Sequence, residues 1–152
     1  MKFLFIVILF FYFNVFASSD FSDAMEISIS GLQVQSKKLK IIAENLANES
    51  STGSNAGESP YKRKIAIIKN RKNRKGNNVA FLSEVKDDKS EFQLMYDPSH
   101  PAADGRGYVK YPNVDPHVEN AQSKEVVRVY ESNLNLFESS KSMYNKTLDL
   151  LK

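Results

Sequence analysis

The residues best placed to do chemistry lie in one stretch, "YDPSHPAADGRGYVKYPNVDP", Tyr96 to Pro116. His100 sits there close to Asp97, Asp104 and Asp115. A histidine among aspartates makes a metal or acid–base site only if further ligands stand at a fixed spacing. None do. His117 is the only other histidine, cysteine is absent, and no H-x-x-x-H or H-E-x-x-H spacing occurs. Nucleophile-elbow, P-loop and dinucleotide fingerprints are absent as well. The reading is a chain without catalytic residues, metal, cofactor or small-molecule substrate. Lone histidines beside aspartates in a loop are solvated or capping residues.

The same stretch is rich in backbone constraints. Pro98, Pro101, Pro112 and Pro116 each fix φ near −65° and bias the preceding residue towards an extended form. Gly105 and Gly107 permit a tight turn at "ADGRG". The expectation is a stiff, extended connector over residues 97–115 that sets the position and angle of the last element. Its acidic residues then serve turns and a cap.

Charge is concentrated elsewhere. Residues 59–83 carry eight Lys or Arg and no Asp or Glu, while the whole chain has 21 basic and 18 acidic residues, so the remainder is net acidic. "KNRKNRKGNN", Lys69 to Asn78, reads as the tip of a basic hairpin. It is either a solvated turn or a surface for an acidic partner, the cell envelope or nucleic acid. The second functional reading is therefore an extracytoplasmic or membrane-anchored binding protein using the basic 62–75 hairpin.

The elements around these residues are legible from periodicity. Residues 1–19, "MKFLFIVILFFYFNVFASS", have one cation and an unbroken apolar run from Phe3 to Phe13. Eleven apolar residues are about half of a spanning helix, and Val15-Phe16-Ala17 suits a signal peptidase. The leader reads as a signal peptide, or as an uncleaved anchor. A helix follows over 20–48, capped by Ser22 or Asp23 with Asp23-x-x-Glu26 as a capping box. Its apolar seam is Met25, Leu32, Leu39 and Leu46, with Ile29 and Ile42 alongside. Gly31 within it is either a tolerated weakness or a point of close approach. Residues 49–59 read as a flexible loop and 60–96 as a small β section, with runs at 61–68, 79–85 and 92–96 and a further short run at 108–111. The last helix spans 116–152. Asp115 caps it and Pro116 takes its first position. Its seam is Val127, Tyr130, Leu134, Phe137, Tyr144, Leu148 and Leu151, broken by Lys141. The fold class is α+β: two long terminal helices whose seams pair as a coiled coil, around a small β section. Apolar residues outside the seams (Ile27, Val34 and Ile41 on the first helix; Val126, Val129, Leu136 and Met143 on the second) ask for neighbours from other molecules.

Four segments carry a resemblance: "SGLQVQ" (Ser30 to Gln35), "IAENLAN" (Ile42 to Asn48), the Tyr96–Pro116 stretch, and "YESNLNLFESSKSM" (Tyr130 to Met143). The chain resembles the FlgC family of bacterial flagellar basal-body rod proteins over Met25–Asn48 and Phe92–Leu151. Within those segments the resemblance marks Asn45, Asn48, Tyr96, Asp97, Pro98, His100, Pro101, Gly107, Tyr108, Tyr111, Pro112, Asn113, Pro116, Tyr130, Glu131 and Asn133 as motif residues. It implies a structural subunit of the proximal rod in the periplasm, built with FlgB, FlgF, FlgG, FliE and further copies of itself, and terminal helices forming the inner coiled-coil layer. The chain departs from the pattern at Ser132, where the family usually has Ala, and in the leader. Rod proteins of this kind leave through the type III channel without a cleaved signal. The leader is then a second route to the periplasm, or the start lies further along.

Overall fold

The computed structural model describes residues 2–150, with side chains from residue 20 onward. Six elements follow in order: α1 (Lys2–Ala47), β1 (Lys64–Lys72), β2 (Asn78–Asp87), β3 (Gln93–Tyr96), β4 (Tyr108–Tyr111) and α2 (Pro116–Asp149). The strands form two separate two-stranded sheets, β1–β2 and β3–β4. Among the described residues no helix is long and apolar enough to cross a membrane. Cleavage after Ala17 and the seam residue Leu151 fall outside the described side chains.

The first helix differs from expectation at its start. It runs from Lys2 and has no cap at Ser22 or Asp23. No glycine or proline occurs before Gly31, so nothing in the backbone interrupts the helix where the leader ends. The last helix begins as its sequence requires. Asp115 Oδ1 accepts from the His117 and Val118 amides at 2.8 and 3.4 Å, and Pro116 supplies no N–H at the first position.

The proline- and glycine-rich stretch folds back on itself and does not run extended. β3 and β4 are antiparallel, with Gln93 opposite Tyr111, Leu94 opposite Lys110, Met95 opposite Val109 and Tyr96 opposite Tyr108. The intervening loop is held by its own aspartates. Asp97 Oδ1 accepts from the Ser99 amide and hydroxyl, and Asp104 Oδ1 accepts from the Arg106 and Tyr108 amides. These bonds hold both carboxyls below the ordinary aspartate value. Gly107 closes the turn at φ +85°, where a side chain would meet the Tyr96 ring at 2.9 Å.

The chain divides into two compact units. One comprises Met1–Val34, Asn70–Phe81 and Val129–Lys152; the other comprises Gln35–Lys69 and Leu82–Arg128. The apolar core residues buried among the described residues are Val34, Ile41, Ile42, Val79, Ala102, Val109, Val114 and Val126. Ser28, Asn45, Glu119 and Ser140 are buried with them.

The covered faces of the helices differ from the expected seams. On α2 the buried and half-buried positions include Glu119, Ser123, Val126, Tyr130, Asn133, Phe137, Ser140, Tyr144 and Thr147, at alternating spacings of four and three. Tyr130, Phe137 and Tyr144 belong to the expected seam. Val127, Leu134 and Leu148 stand one position further along and are exposed. Val126, read from the sequence as an outward residue, is only 2% exposed. One position is about 100° around a helix. The covered face is rotated towards small and polar residues because they allow close approach: a Cβ on Gly31 would lie 2.7 Å from Asn133 Oδ1. The close-approach reading of Gly31 is the one the structure supports.

Candidate functional site

A polar clasp occupies the unit formed by Gln35–Lys69 and Leu82–Arg128. Asn45, in the last turn of α1, is 1% exposed and bonds through every side-chain polar atom. Its Oδ1 accepts from the Lys64 amide at 2.8 Å and from the Tyr61 hydroxyl at 2.9 Å. Its Nδ2 donates to the Lys64 carbonyl at 2.9 Å and to Glu119 Oε2 at 3.3 Å. An asparagine is suited to this because it is both donor and acceptor in one plane. Burial raises the Tyr61 hydroxyl above its ordinary value, with the Glu44 charge adding to the effect.

Glu119 lies in the first turn of α2 and is fully buried. Its Oε1 accepts from Arg63 Nε at 2.6 Å. Arg63 is bound on all sides. Its Nη1 reaches Asp88 Oδ2 at 3.1 Å, its Nη2 reaches Gln122 Oε1 at 3.4 Å, and its amide donates to Asn113 Oδ1 at 2.8 Å. Burial pulls the guanidinium down, but the bonds and charges of Glu119 and Asp88 outweigh it and leave it raised. Asn113 Nδ2 donates in turn to Ser90 Oγ at 2.8 Å and to the Ser90 carbonyl at 3.2 Å. The clasp thereby ties α1, the start of β1, the segment after β2, the segment after β4 and the start of α2 in one network.

The network borders a cavity of about 340 Å³ lined by Asn45, Arg63, Lys64, Glu119 and Gln122, but its charges are already engaged within the protein. Every charged atom faces another protein group, and the buried ion pair is satisfied by further hydrogen bonds. His100 is equally occupied: Nδ1 accepts from the Ala102 amide at 3.1 Å, and Nε2 is 3.4 Å from Thr52 Oγ1. Among the described residues no group of three His, Asp or Glu could hold a metal. The arrangement fixes backbone.

The remaining motif residues fall into two groups. Pro112 is buried, and Asn48 Nδ2 donates to the Glu44 carbonyl at the end of α1. Pro98 lies beside Gly107 in the β3–β4 turn, Pro116 opens α2, and Tyr111 is half-buried. Asn133 is half-buried against Gly31. Tyr96 and Tyr108, in contrast, are exposed, with rings 5.3 Å apart edge to face, and Pro101 and Glu131 are exposed too. Of the seam, Ile42 is buried and Met25, Leu32, Leu39 and Leu46 are half-buried. Sequence reasoning missed Arg63, Asp88 and Glu119. Arg63 read as one more cation of a basic run. Glu119 carried no reading of its own.

Exposed apolar side chains are the other feature of the site. Val127, Leu134, Leu136, Met143 and Leu148 of α2 are exposed, as are Ile27 and Ile29 of α1. Leu94, Met95, Tyr96 and Tyr108 form a further exposed group on β3–β4.

Residues 25–53 match the family described as flagella basal body rod protein. Among known proteins the chain is 39% identical to the flagellar basal-body rod protein FlgC of Agrobacterium fabrum over 139 residues, covering 86% of this chain and 95% of that protein. It is 33% identical to FlgC of Aquifex aeolicus, covering 88% and 98%. It is 32% identical to FlgC of Bacillus subtilis, covering 85% and 97%. The similarity runs further along the chain than the four motifs alone.

Proposed function

The chain belongs to the FlgC family of flagellar basal-body rod proteins, a structural component and not an enzyme, and from that premise we propose its place in the rod. It is a proximal-rod subunit that joins copies of itself and FlgB, FlgF, FlgG and FliE in a helical tube in the periplasm. Heterologous contacts that do not close on themselves generate such a tube. α1 and α2 pair within the subunit as an antiparallel coiled coil. Two contacts support that pairing: Gly31 against Asn133, and Asn45 against Glu119. They are fourteen residues apart on each helix, in opposite chain directions, and fourteen residues are two heptads. The leader is removed near Ser18 or Ser19, as the apolar run Phe3–Phe13 followed by Ala17 suggests.

The observation that carries the reading, beside the family itself, is exposed apolar surface on two sides of α2, the row Val127, Leu134 and Leu148 and, on the opposite side, Leu136 and Met143. Apolar surface of that kind on a helix marks a protein contact. Leu134→Asp tests it, because Leu134 is already 36% exposed and an aspartate there leaves the fold intact. We expect soluble, helical protein at wild-type level and at least tenfold less of it in isolated basal bodies, since burying an unpaired carboxylate in an interface costs several kcal/mol. N-terminal sequencing of the basal-body form should begin at Ser18 or Ser19. Normal motility of the Leu134→Asp strain would remove the α2 row from the assembly.

A further inference from the structure

The basic hairpin tip has a role that rod assembly through the terminal helices does not use. The turn between β1 and β2 is closed by its own hydrogen bonds. Asn73 Oδ1 accepts from the Lys75 and Asn77 amides at 2.9 Å each, the Asn73 amide donates to the Asn77 carbonyl at 2.9 Å, and Gly76 takes φ +88°. Arg71, Lys72 and Arg74 are exposed on it. Among the described residues none of the three has an ion-pair partner. Arg71 lies over the Phe81 ring, 5.2 Å from its centroid, which fixes its direction and leaves its charge free.

Lys75 does something different. Its Nζ donates to Asp23 Oδ1 at 2.7 Å and Ser22 Oγ at 3.4 Å, clamping the tip to α1 within one compact unit. That bond and the Lys75 charge hold the Asp23 carboxyl below its ordinary value, and a bond from Asn77 adds to it. The clamp neutralises the nearest acid, so only Glu26 stands beside the free cations. α1 continues from Asp23 towards Lys2 through the apolar run that ends at Phe13. Ten helical residues separate the two, about 15 Å. A bilayer's polar layer is about 5–7 Å deep on each side, and charge is felt for a further 8–10 Å at physiological salt. A membrane that takes up the apolar run therefore brings its phosphates within reach of the tip.

We propose that the tip cations Arg71, Lys72 and Arg74 dock on the anionic phospholipid headgroups of the membrane that receives the leader, holding the subunit at the bilayer surface before the leader is removed and the subunit enters the rod. The ligand chemistry is lipid phosphate. An acidic protein or a nucleic acid would be attracted by the same charges, but neither explains why the tip is clamped on the end of α1 that carries the apolar run.

The test uses the full chain with two vesicle compositions, phosphatidylcholine alone and phosphatidylcholine with phosphatidylglycerol. We expect tighter binding to the anionic vesicles, weakened by raising salt from 0.1 to 0.5 M. The triple variant Arg71→Gln, Lys72→Gln, Arg74→Gln should lose about 100-fold in affinity for anionic vesicles, on the order of fivefold per cation, and nothing for neutral ones. If the triple variant fails to fold by circular dichroism, Lys72→Gln with Arg74→Gln should still lose about 25-fold. Equal binding to both compositions would place the affinity in the leader and overturn the proposal. So would a variant that binds anionic vesicles as the parent does, or a DNA duplex that displaces the vesicles. None of these outcomes bears on rod incorporation, which is read separately in basal bodies.

Discussion

Asn45 shows how one side chain can do the work of a backbone segment. It satisfies both the N–H and the C=O of Lys64 and supports Tyr61 and Glu119 at the same time. Its loss leaves the buried Glu119 carboxylate and the Lys64 amide with fewer partners, at about 1–3 kcal/mol each. We expect Asn45→Ala to lower unfolding free energy in urea by about 3 kcal/mol. Asn45→Asp should cost more, because it keeps the acceptor but loses both donated bonds and puts a second carboxylate against Glu119. An aspartate variant as stable as the parent would show that Nδ2 contributes little. The motif marked Asn45, Asn113 and Pro112 from the sequence, and all three sit in the clasp or the core. Their partners Arg63 and Glu119 were not legible, because they are 56 residues apart and nothing local distinguishes a paired arginine from a solvated one.

At the scale of elements, α2 was legible in length and start but not in facing. Asp115 and Pro116 announce its cap, and the absence of later glycine or proline lets it run. Its apolar periodicity pointed to Val127, Leu134 and Leu148, which lie outside, since a hydrophobic count gives no weight to Asn133 or Ser140. The β3–β4 hairpin was half legible. Both strands were visible as short runs, but prolines alone did not reveal that Asp97 and Asp104 would bend the chain between them. Gly31 offers a test of the covered face. In the parent, Gly31→Ala must push aside the Asn133 amide, whose Nδ2 bonds the Val129 carbonyl at 2.9 Å. In an Asn133→Ala background the space is free, and alanine's helix preference over glycine should add up to about 1 kcal/mol. A double-mutant cycle by thermal melting should therefore give Gly31→Ala opposite signs in the two backgrounds. The same sign in both would mean that Asn133 does not define the contact.

For the whole molecule, the composition of the interior is telling. Among the described residues the buried apolar side chains of the core are valines, isoleucines and one alanine, with no leucine or aromatic ring. Leu134, Leu136, Met143 and Leu148 of α2 and Leu94 and Met95 of β3 are exposed instead. Much apolar surface of such a chain is left for neighbours in an assembly to cover. Stability should then depend on association. We expect the midpoint of thermal unfolding to rise by several degrees between about 1 and 100 µM protein. An unchanged midpoint would mean that the subunit is complete alone.

The contact of Asn45 with Lys64 has a further consequence. The Arg63 carbonyl accepts from the Asp88 amide at 2.7 Å, so backbone groups at Arg63 turn towards the segment after β2, while those of Lys64 turn the opposite way. Asn45 takes both Lys64 groups and so occupies the first position of that outer rim. Open strand rims are where crowded chains zip together into insoluble β stacks. The helix thus shields the first residue of the first strand with one of its own side chains.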